Sequence, residues 1–383
     1  MARALYIHWP FCAKKCPYCD FNSHVRETVE MEAWHEALLA DTRHEAELAG
    51  GEKLHSIFFG GGTPSLMPPA LVGALLAEAE KLWGFEPEIE ITLEANPSSV
   101  EANNFTSLAS AGVNRMSLGI QSFDDDVLQF LGRLHSSEEG QKALETAQKA
   151  FDRVSFDLIY ARPGQTEAQW TEELQRALAY GTGHLSLYQL TIEPSTRFAS
   201  DVRTGKFTPL DDDPAADLYA LTQAMTAAAG LPPYEISNYA KPGEESRHNL
   251  TYWRYEDYCG IGPGAHGRRC GMATTRHRKP ENFLAAVAKS QHGIAEERAL
   301  SLTEQASEAL LVGLRLVEGI DLARIEQRFG IASSNLIDTA KLELHQNLGL
   351  VWREGERIGL TREGMPLLDA LLGDLVADEL VSA

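Results

Sequence analysis

The chain has 383 residues, of which 44% are hydrophobic, a composition typical of a globular protein with sizeable buried cores. Its 34 Lys and Arg against 55 Asp and Glu give a net charge of −21, which repels nucleic-acid backbones and anionic membrane surfaces. No apolar run approaches the ~18–20 residues of a membrane span, and the polar N-terminus does not resemble a signal peptide. The sequence therefore predicts a soluble cytoplasmic protein with no integral membrane segment and no nucleic-acid partner.

The first half of the chain alternates short β-branched or aromatic runs with amphipathic stretches of helical length. This alternation indicates a parallel α/β sheet with right-handed crossovers. Six units are fewer than the eight of a closed barrel, so the pattern allows a partial barrel or an open doubly wound sheet. The predicted strands are Ala4–His8, Ser56–Gly60, Glu88–Leu93, Arg115–Gly119, Arg153–Ile159 and His184–Leu190. The predicted helices are Met31–Leu48, Pro69–Leu82, Ser99–Ala111, Glu138–Ala150 and Glu167–Tyr180.

Unusual polar and glycine-rich residues follow several of these strands. Cysteines come after the first strand, Gly60-Gly-Gly-Thr-Pro64 after the second, Glu94 after the third and Gln121 after the fourth. One glycine-rich loop is most simply a tight turn that opens a helix. Because ligands bind at the carboxyl edge of parallel sheets, several such loops on one edge indicate a shared site.

From about residue 302 the pattern changes to helices without intervening strands, followed by a hairpin and a closing helix. The predicted elements are the helices Thr303–Val317, Leu322–Phe329 and Ser333–Leu348 and the hairpin Leu350–Thr361. This is the order of a winged-helix domain. Residues 303–383 hold seven Lys and Arg against fourteen Asp and Glu, so the charge disfavours DNA binding and we predict a structural or lid role.

Three of the five cysteines, Cys12, Cys16 and Cys19, crowd into one short segment. Cys16-Pro-Tyr-Cys19 alone resembles a redox dithiol, but that interpretation leaves Cys12 unexplained. Structural zinc needs four ligands, and no fourth Cys or His has finger spacing. Three thiolates on one tight loop favour a four-iron cluster with one iron open to another ligand. The isolated Cys259 and Cys270 are interpreted as ordinary small buried residues.

The C-x3-C-x2-C spacing after a first strand resembles that of the radical S-adenosylmethionine (SAM) superfamily. Further motifs resemble its coproporphyrinogen III oxidase-like branch, in the order Tyr6-Ile-His-Trp-Pro-Phe-Cys12, Gly60-Gly-Gly-Thr-Pro64, Glu94-Ala-Asn-Pro97, Ser117-Leu-Gly-Ile-Gln-Ser-Phe123, Arg133 and Phe156-Asp-Leu-Ile-Tyr160. The resemblance implies a partial (βα)6 radical-SAM barrel with a C-terminal, mostly helical, winged-helix-like domain. Tyr160-Ala-Arg-Pro163 departs from the branch, which usually has glycine and leucine after this tyrosine.

Carried over to this chain, the resemblance implies that Cys12, Cys16 and Cys19 hold a four-iron four-sulfur (4Fe-4S) cluster. It also implies two sets of SAM contacts. The first set is Tyr6, Gly61 and Glu94, and the second is Tyr18, Gly62, Thr63, Gln121, Arg133 and Asp157. Glycines permit close backbone approach to a ligand, and carboxylates accept hydrogen bonds from ammonium or ribose groups. Without the resemblance, the less favoured alternative for Asp157 is a helix-facing or strand-end carboxylate with no ligand.

Two features distinguish this chain from the oxygen-independent coproporphyrinogen III oxidase and resemble those of the HemW-type heme chaperones in the same branch. Phe21 stands where the oxygen-independent coproporphyrinogen III oxidase has a fourth cysteine, and only eleven residues precede Cys12. A third feature is the H-N-x-x-Y-W motif at Arg247–Trp253, in which His248 could supply an axial imidazole to heme iron. A lone histidine beside aromatic residues is, however, more often a hydrogen-bonded structural residue.

Charge supports the heme interpretation, because residues 247–279 carry seven Lys and Arg against two Asp and Glu, which suits propionates. His266 and His277 are weaker ligand candidates. We predict a barrel over 1–230, a heme-motif and connecting region over 231–300 and a C-terminal domain over 301–383. The predicted function is a heme chaperone that delivers heme to acceptor hemoproteins. The alternatives are a coproporphyrinogen III oxidase-like decarboxylase and a dithiol oxidoreductase, and whether SAM is cleaved stays open.

Overall fold

The computed structural model describes residues 2–26 and 28–376. Its strands are β1 (Ala4–Trp9), β2 (Phe11–Cys12), β3 (His24–Val25), β4 (Leu54–Gly61), β5 (Phe85–Ala95), β6 (Arg115–Gln121), β7 (Arg153–Tyr160), β8 (His184–Gln189), β9 (Asn238–Ala240), β10 (Tyr258–Ile261), β11 (His266–Arg269), β12 (Met272–Arg276), β13 (Ile294–Ala299), β14 (Ile320–Asp321), β15 (Val351–Glu354) and β16 (Arg357–Leu360). All six strands predicted for the first half are present.

Eleven of the described strands form one open sheet in the order β13-β12-β11-β10-β1-β4-β5-β6-β7-β8-β9. The strands from β10 to β8 in this order run parallel, and β9 and β11–β13 extend the two edges in antiparallel fashion. In β6, six of the seven residues are buried, as expected for a strand that is covered on both faces. The predicted partial α/β barrel is confirmed. The sequence did not predict β10, which adds a seventh parallel strand beside β1.

The described helices are α1 (Met31–Ala49), α2 (Pro69–Trp83), α3 (Ser99–Ala102), α4 (Phe105–Ser110), α5 (Asp125–Phe130), α6 (Ser137–Ala150), α7 (Glu167–Ala179), α8 (Arg197–Arg203), α9 (Asp212–Ala228), α10 (Arg247–Trp253), α11 (Pro280–Ser290), α12 (Leu302–Gly313), α13 (Leu322–Phe329), α14 (Thr339–Asn347) and α15 (Leu368–Leu375). Capping boxes at Ser136, Thr166 and Ser301 satisfy backbone donors at the starts of α6, α7 and α12. These caps explain why the three helices begin close to their predicted positions.

Two predicted helices are interrupted. The helix predicted over Ser99–Ala111 is divided into α3 and α4, because Glu101 turns inward to accept hydrogen bonds from Ser65 Oγ and the Asn96 backbone. The helix predicted over Ser333–Leu348 becomes a short 3-10 turn followed by α14, since the Asp338 side chain caps a new helix start. Local hydrogen bonds therefore override a continuous helical pattern.

The C-terminal part combines α12–α15 with a small sheet in the order β14-β16-β15, which confirms the predicted helical domain. Residues 231–300 contribute β9–β13 to the main sheet, and the predicted division at residues 230 and 300 stays a prediction. None of the described helices is both long enough and apolar enough to cross a membrane.

Candidate functional site

The three clustered cysteines lie in the segment that follows β1, and their thiols are free and half-buried. Thr63 Oγ1 donates a hydrogen bond to Cys12 Sγ at 3.4 Å, and the Arg133 guanidinium donates to Cys16 Sγ at 3.4 Å. Burial raises the pKa of Cys12 and of Cys19, and the neighbouring thiols raise both further. Because these thiolates would repel one another, the segment favours a cationic group that stabilises their charge.

A chain of hydrogen bonds connects two of the cysteines. Asn96 Nδ2 donates to Thr63 Oγ1 at 2.9 Å, and Arg133 donates to Asn96 Oδ1 at 2.5 Å and to the Gly119 carbonyl at 2.8 Å. The chain therefore runs from Cys12 through Thr63, Asn96 and Arg133 to Cys16. The sequence analysis did not assign Asn96 a role, although its place in the Glu94-Ala-Asn-Pro97 motif was a signal that could have found it.

The donor set suits a polynuclear cluster better than a single ion. Within residues 2–26 and 28–376, no three His, Cys, Asp or Glu side chains are placed to hold one metal ion. A four-iron cluster takes each thiolate on a different iron, so its ligands surround a cube rather than one centre. Three thiols on one segment, two of them oriented by side-chain donors, fit that requirement.

Two carboxyl groups lie on β5 and β7, on either side of β6 in the sheet. Burial raises the pKa of Glu94 to about 8, helped by the charge of Asp157 and opposed by a hydrogen bond from the Gly61 backbone. Burial likewise raises the pKa of Asp157 to about 6, with Ser186, Arg115 and other neighbours acting in the opposite direction. A cationic partner stabilises ionised carboxylates in such surroundings. The two carboxyl groups therefore favour a positively charged ligand.

A cavity of about 300 Å³ opens beside these groups. Tyr6, Gly61 and Glu94, which form the first predicted SAM set, all line it. The other lining residues are His8, Phe21, Asn22, Tyr252, Tyr258, Gly264, His266 and Arg278. The structure thus brings the first set together in one cavity. It adds residues from α10, β10, β11 and the segments after β10 and β12 that the sequence had not connected with SAM.

Gly61 and Gly62 have packing reasons of their own. Gly61 has φ +110°, and a Cβ there would lie 2.5 Å from the His8 ring. A Cβ at Gly62 would lie 2.6 Å from the Phe11 carbonyl oxygen. Both glycines therefore let β4 and its following turn lie against the segment after β1, whether or not a ligand is bound.

The second predicted SAM set is divided between two of the cysteines, because Thr63 donates to Cys12 Sγ and Arg133 donates to Cys16 Sγ. Gln121 is buried with φ +68°, and a Cβ at Gly119 would lie 3.0 Å from its Nε2 and 3.2 Å from the Arg133 guanidinium. Tyr18 packs at 6.3 Å from Phe198, and burial raises its pKa. The positive charge of Arg133 opposes the rise in the pKa of Asp157, so these two side chains interact electrostatically. The role of these residues in SAM binding stays a prediction.

His248 is fully enclosed in the protein. Its Nδ1 lies 3.1 Å from Ser56 Oγ and its Nε2 lies 2.6 Å from Tyr252 Oη, so both ring nitrogens have partners. The ring also stacks on Phe58 at 5.2 Å, and burial lowers the pKa of His248 to about 3. This geometry matches the structural interpretation of the histidine, because axial coordination of heme would require the hydrogen bond to Tyr252 to break.

The basic segment 247–279 is less available to an anion than its composition indicates. Arg269 pairs with Glu45 at 2.7 Å, and Arg276 pairs with Glu45 at 2.5 Å and with Asp41 at 3.4 Å, all largely buried. Arg254 pairs with Glu318, Arg268 lies over the Tyr255 ring and Arg247 donates to the Glu88 carbonyl. The net positive charge of this segment is therefore mostly neutralised within the fold, whereas Arg278 and Lys279 are exposed.

A second cavity of about 440 Å³ lies over the ends of β6 and β7. Its wall includes Arg162, which pairs with Glu173 at 2.6 Å and donates to Ser122 Oγ at 2.9 Å. Ala161 has φ +53°, a conformation that favours glycine, the residue that the resemblance leads one to expect at this position. The unusual Tyr160-Ala-Arg-Pro163 loop therefore carries mild backbone strain and a buried ion pair.

Comparisons with known proteins identify families and structures that are similar to this chain. Residues 6–177 match the model of the Radical SAM superfamily, and residues 300–367 match the HemN C-terminal domain. Coproporphyrinogen III oxidase (HemN) from Escherichia coli has a similar structure, with a TM-score of 0.81 over 97% of this chain and 89% of that chain. Their sequence identity is 22%, so this likeness shows the fold alone.

Full-length relatives are more similar in sequence. The heme chaperone HemW of Haemophilus influenzae is 37% identical over 98% of each chain. HemW of Bacillus subtilis is 31% identical over 98% of this chain and 100% of the relative. A mitochondrial radical S-adenosyl methionine domain-containing protein 1 of Mus musculus is 37% identical over 96% of this chain and 86% of the relative.

The open barrel and the three-cysteine segment at its carboxyl edge define a radical SAM protein. Within that superfamily, the near-complete alignment with HemW sequences decides the branch. The chain belongs to the HemW family.

Proposed function

We propose that this protein is a heme chaperone that holds a 4Fe-4S cluster and SAM, binds heme and hands it to acceptor hemoproteins. The observation that carries the proposal is the similarity over nearly the whole chain to proteins named heme chaperones. The cytoplasmic location predicted from the sequence belongs to the same proposal, although some relatives are named as mitochondrial.

Cys12, Cys16 and Cys19 would hold the cluster, which supplies redox-active iron with one open coordination position when bound. Thr63 and Arg133 donate to the sulfur atoms, and hydrogen bonds to cluster sulfurs are one means by which proteins tune a reduction potential. Burial of this segment limits the access of water. The protein therefore supplies ligands, orientation and electrostatic tuning at this site.

The cavity beside the cluster segment would take SAM. Glu94 offers a carboxylate to the cationic groups of SAM, and Gly61 exposes backbone at the cavity wall. The Tyr6 hydroxyl lies 3.0 Å from His8 Nδ1, and His8 Nε2 lies 2.9 Å from the Asn22 carbonyl, so the cavity wall is fixed by hydrogen bonds. Such pre-organisation lowers the entropic cost of binding.

The SAM affinity should depend on the ionisation of Glu94. Since its pKa is about 8 in the free protein, the carboxyl is mostly protonated at neutral pH and ionises as the pH rises. We expect SAM to bind more tightly as the pH rises through about 8, and Glu94→Gln to remove this part of the pH dependence. The same variant should weaken SAM binding about tenfold to a hundredfold at high pH, because a charge-assisted hydrogen bond contributes ~1.5–3 kcal/mol.

Anaerobic calorimetry of SAM binding across this pH range measures both effects. Comparison with the variant removes the contribution of ionisation of SAM itself. Equal pH profiles for the parent and Glu94→Gln would contradict the assignment. Stability has the opposite dependence, since a carboxyl whose pKa is raised by folding destabilises the ligand-free fold as the pH rises from its ordinary value of 4.5 towards 8.

The competing function is a coproporphyrinogen III oxidase-like decarboxylase. The two candidates predict opposite results with the reconstituted protein. A chaperone binds hemin and transfers it to an apo-hemoprotein, without decarboxylation. The enzyme converts coproporphyrinogen III to protoporphyrinogen IX, an oxidative loss of two propionate carboxyls as carbon dioxide, when reduced cluster, SAM and an external electron acceptor are present. Multiple turnovers of that reaction would overturn the chaperone proposal, and heme transfer without this product would support it.

A further inference from the structure

The mouth of the cavity carries three side chains that the cluster and SAM do not need. They are Phe21, His266 and Arg278, and all three are exposed residues that also line the cavity. Phe21 is 60% exposed, so its ring is available to an apolar ligand. The opening thus offers a ligand three kinds of contact. The aromatic ring is an apolar surface, the imidazole can coordinate a metal, and the guanidinium can bind an anion.

His266 differs from the histidines that surround it. His8 and His248 use both of their ring nitrogens in hydrogen bonds. His24 Nε2 lies 3.3 Å from Asn22 Oδ1. The imidazole of His266 makes no hydrogen bond with the part of the chain that the structure describes. Both ring nitrogens of His266 are therefore free to bind a ligand at this opening.

The opening is joined to the cysteine segment by Asn22. Its Nδ2 donates to the Pro263 carbonyl and to the Arg278 carbonyl, both at 2.9 Å. A Cβ at Gly264 would lie 2.4 Å from Asn22 Nδ2, so the loop at 262–265 approaches Asn22 closely. These contacts fix the start of β11, which carries His266, and the residues after β12 against the segment that bears Phe21.

Size separates the opening from the interior. At about 300 Å³ the cavity is at the lower end of the range for small-molecule sites, and its interior wall is the one expected to bind SAM. A porphyrin macrocycle would therefore lie across the mouth with one face towards the solvent. Such an exposed position suits a protein that releases its cargo to another protein.

We propose that His266 is the axial ligand of the transported heme, with Arg278 pairing with a propionate and Phe21 packing on the macrocycle. This inference rests on the proposed heme-chaperone function and assigns the cargo site within it. Axial coordination uses a neutral imidazole nitrogen. Partial desolvation at the cavity mouth and the neighbouring Arg278 lower the pKa of His266, which keeps the imidazole neutral at physiological pH. Arg278 is the cation of the basic segment that lines the opening, whereas Arg269 and Arg276 are buried in ion pairs.

The test is hemin binding by the full-length reconstituted protein, followed by difference optical spectra and electron paramagnetic resonance of the ferric heme. His266→Ala should remove nitrogen ligation, shift the Soret band and weaken hemin binding at least about tenfold. Free imidazole added to His266→Ala should restore the parent spectrum. His35→Ala is the matched control, because His35 is exposed on α1 and lines neither cavity, and it should leave the spectrum unchanged.

Arg278→Met should weaken hemin binding without changing the ligation signature, since it removes a propionate partner only. If the parent binds hemin and His266→Ala keeps the parent spectrum and affinity, the cargo site is overturned while the chaperone function stands. If the parent binds no hemin, the chaperone function itself fails. The cluster content, measured as iron and sulfide in every variant, verifies that the cysteine segment is intact.

Discussion

Cys16→Ala is expected to abolish the reconstituted cluster, with iron and labile sulfide falling to background. Cys16 is one of three thiols on the segment after β1, and its Sγ accepts a hydrogen bond from Arg133. A cluster left with two protein thiolates has two unprotected irons and is expected to dissociate. Anaerobic reconstitution followed by chemical determination of iron and sulfide per chain measures the effect.

The remaining cysteines provide internal controls. Cys259 is buried on β10, as predicted, whereas the prediction that Cys270 is buried is wrong, because it lies exposed in the turn between β11 and β12. Neither belongs to the clustered segment. Cys259→Ala and Cys270→Ala should retain parental iron and sulfide. Unchanged iron and sulfide in Cys16→Ala would show that the cluster is not held by this segment. The same mutant would then also leave the SAM assignment without its basis.

Arg276→Met is expected to destabilise the fold by ~3–5 kcal/mol, because it leaves the buried Asp41 carboxylate without an ionic partner and Glu45 with Arg269 alone. Arg276 is fully buried on β12 and pairs with Asp41 and Glu45, two residues one helical turn apart on α1. Asp41 also accepts hydrogen bonds from the backbones of Gly262 and Gly293. This ionic network attaches α1 to the antiparallel edge of the sheet, so the effect should appear as a global loss of stability.

Arg278→Met is the matched control, only two residues away in sequence. Arg278 is exposed, and an exposed substitution of this kind changes stability by less than ~0.5 kcal/mol. Urea unfolding at constant slope, followed by circular dichroism, measures both variants. Equal midpoints for Arg276→Met and the parent would show that the network adds nothing to stability. The contrast also distinguishes the two kinds of arginine in this segment. Arg276 is buried in ion pairs that stabilise the fold, whereas Arg278 is exposed and free to bind an anion.

The repeating framework and the cluster segment follow from local sequence alone. The six parallel strands could be predicted because strands buried on both faces form continuous apolar runs between amphipathic helices. The spacing of Cys12, Cys16 and Cys19 was equally informative, since ligands on one short segment are close in space whatever the rest of the chain does. The order of the motifs along the chain was enough to indicate the branch.

The surroundings of the site depend instead on tertiary contacts. The strand β10 was missed because Tyr258–Ile261 is short and glycine-flanked, and its pairing with β1 joins residues far apart in the chain. Asn96 and Asn22 acquire their roles from partners on other elements, so no local pattern reveals them. The positive charge of segment 247–279 was similarly misleading, because Arg269 and Arg276 find carboxylates on α1.

The histidines give the sharpest contrast. The sequence indicated His248 as a heme ligand because it lies in a motif with aromatic neighbours. In the fold it is buried, and its two ring nitrogens form hydrogen bonds with Ser56 and Tyr252. His266 looked the weaker candidate, yet the fold leaves its imidazole at the mouth of the cavity. Composition and spacing determine which side chains are present, whereas solvent access and hydrogen-bond partners depend on contacts distant in sequence, which only the folded chain establishes.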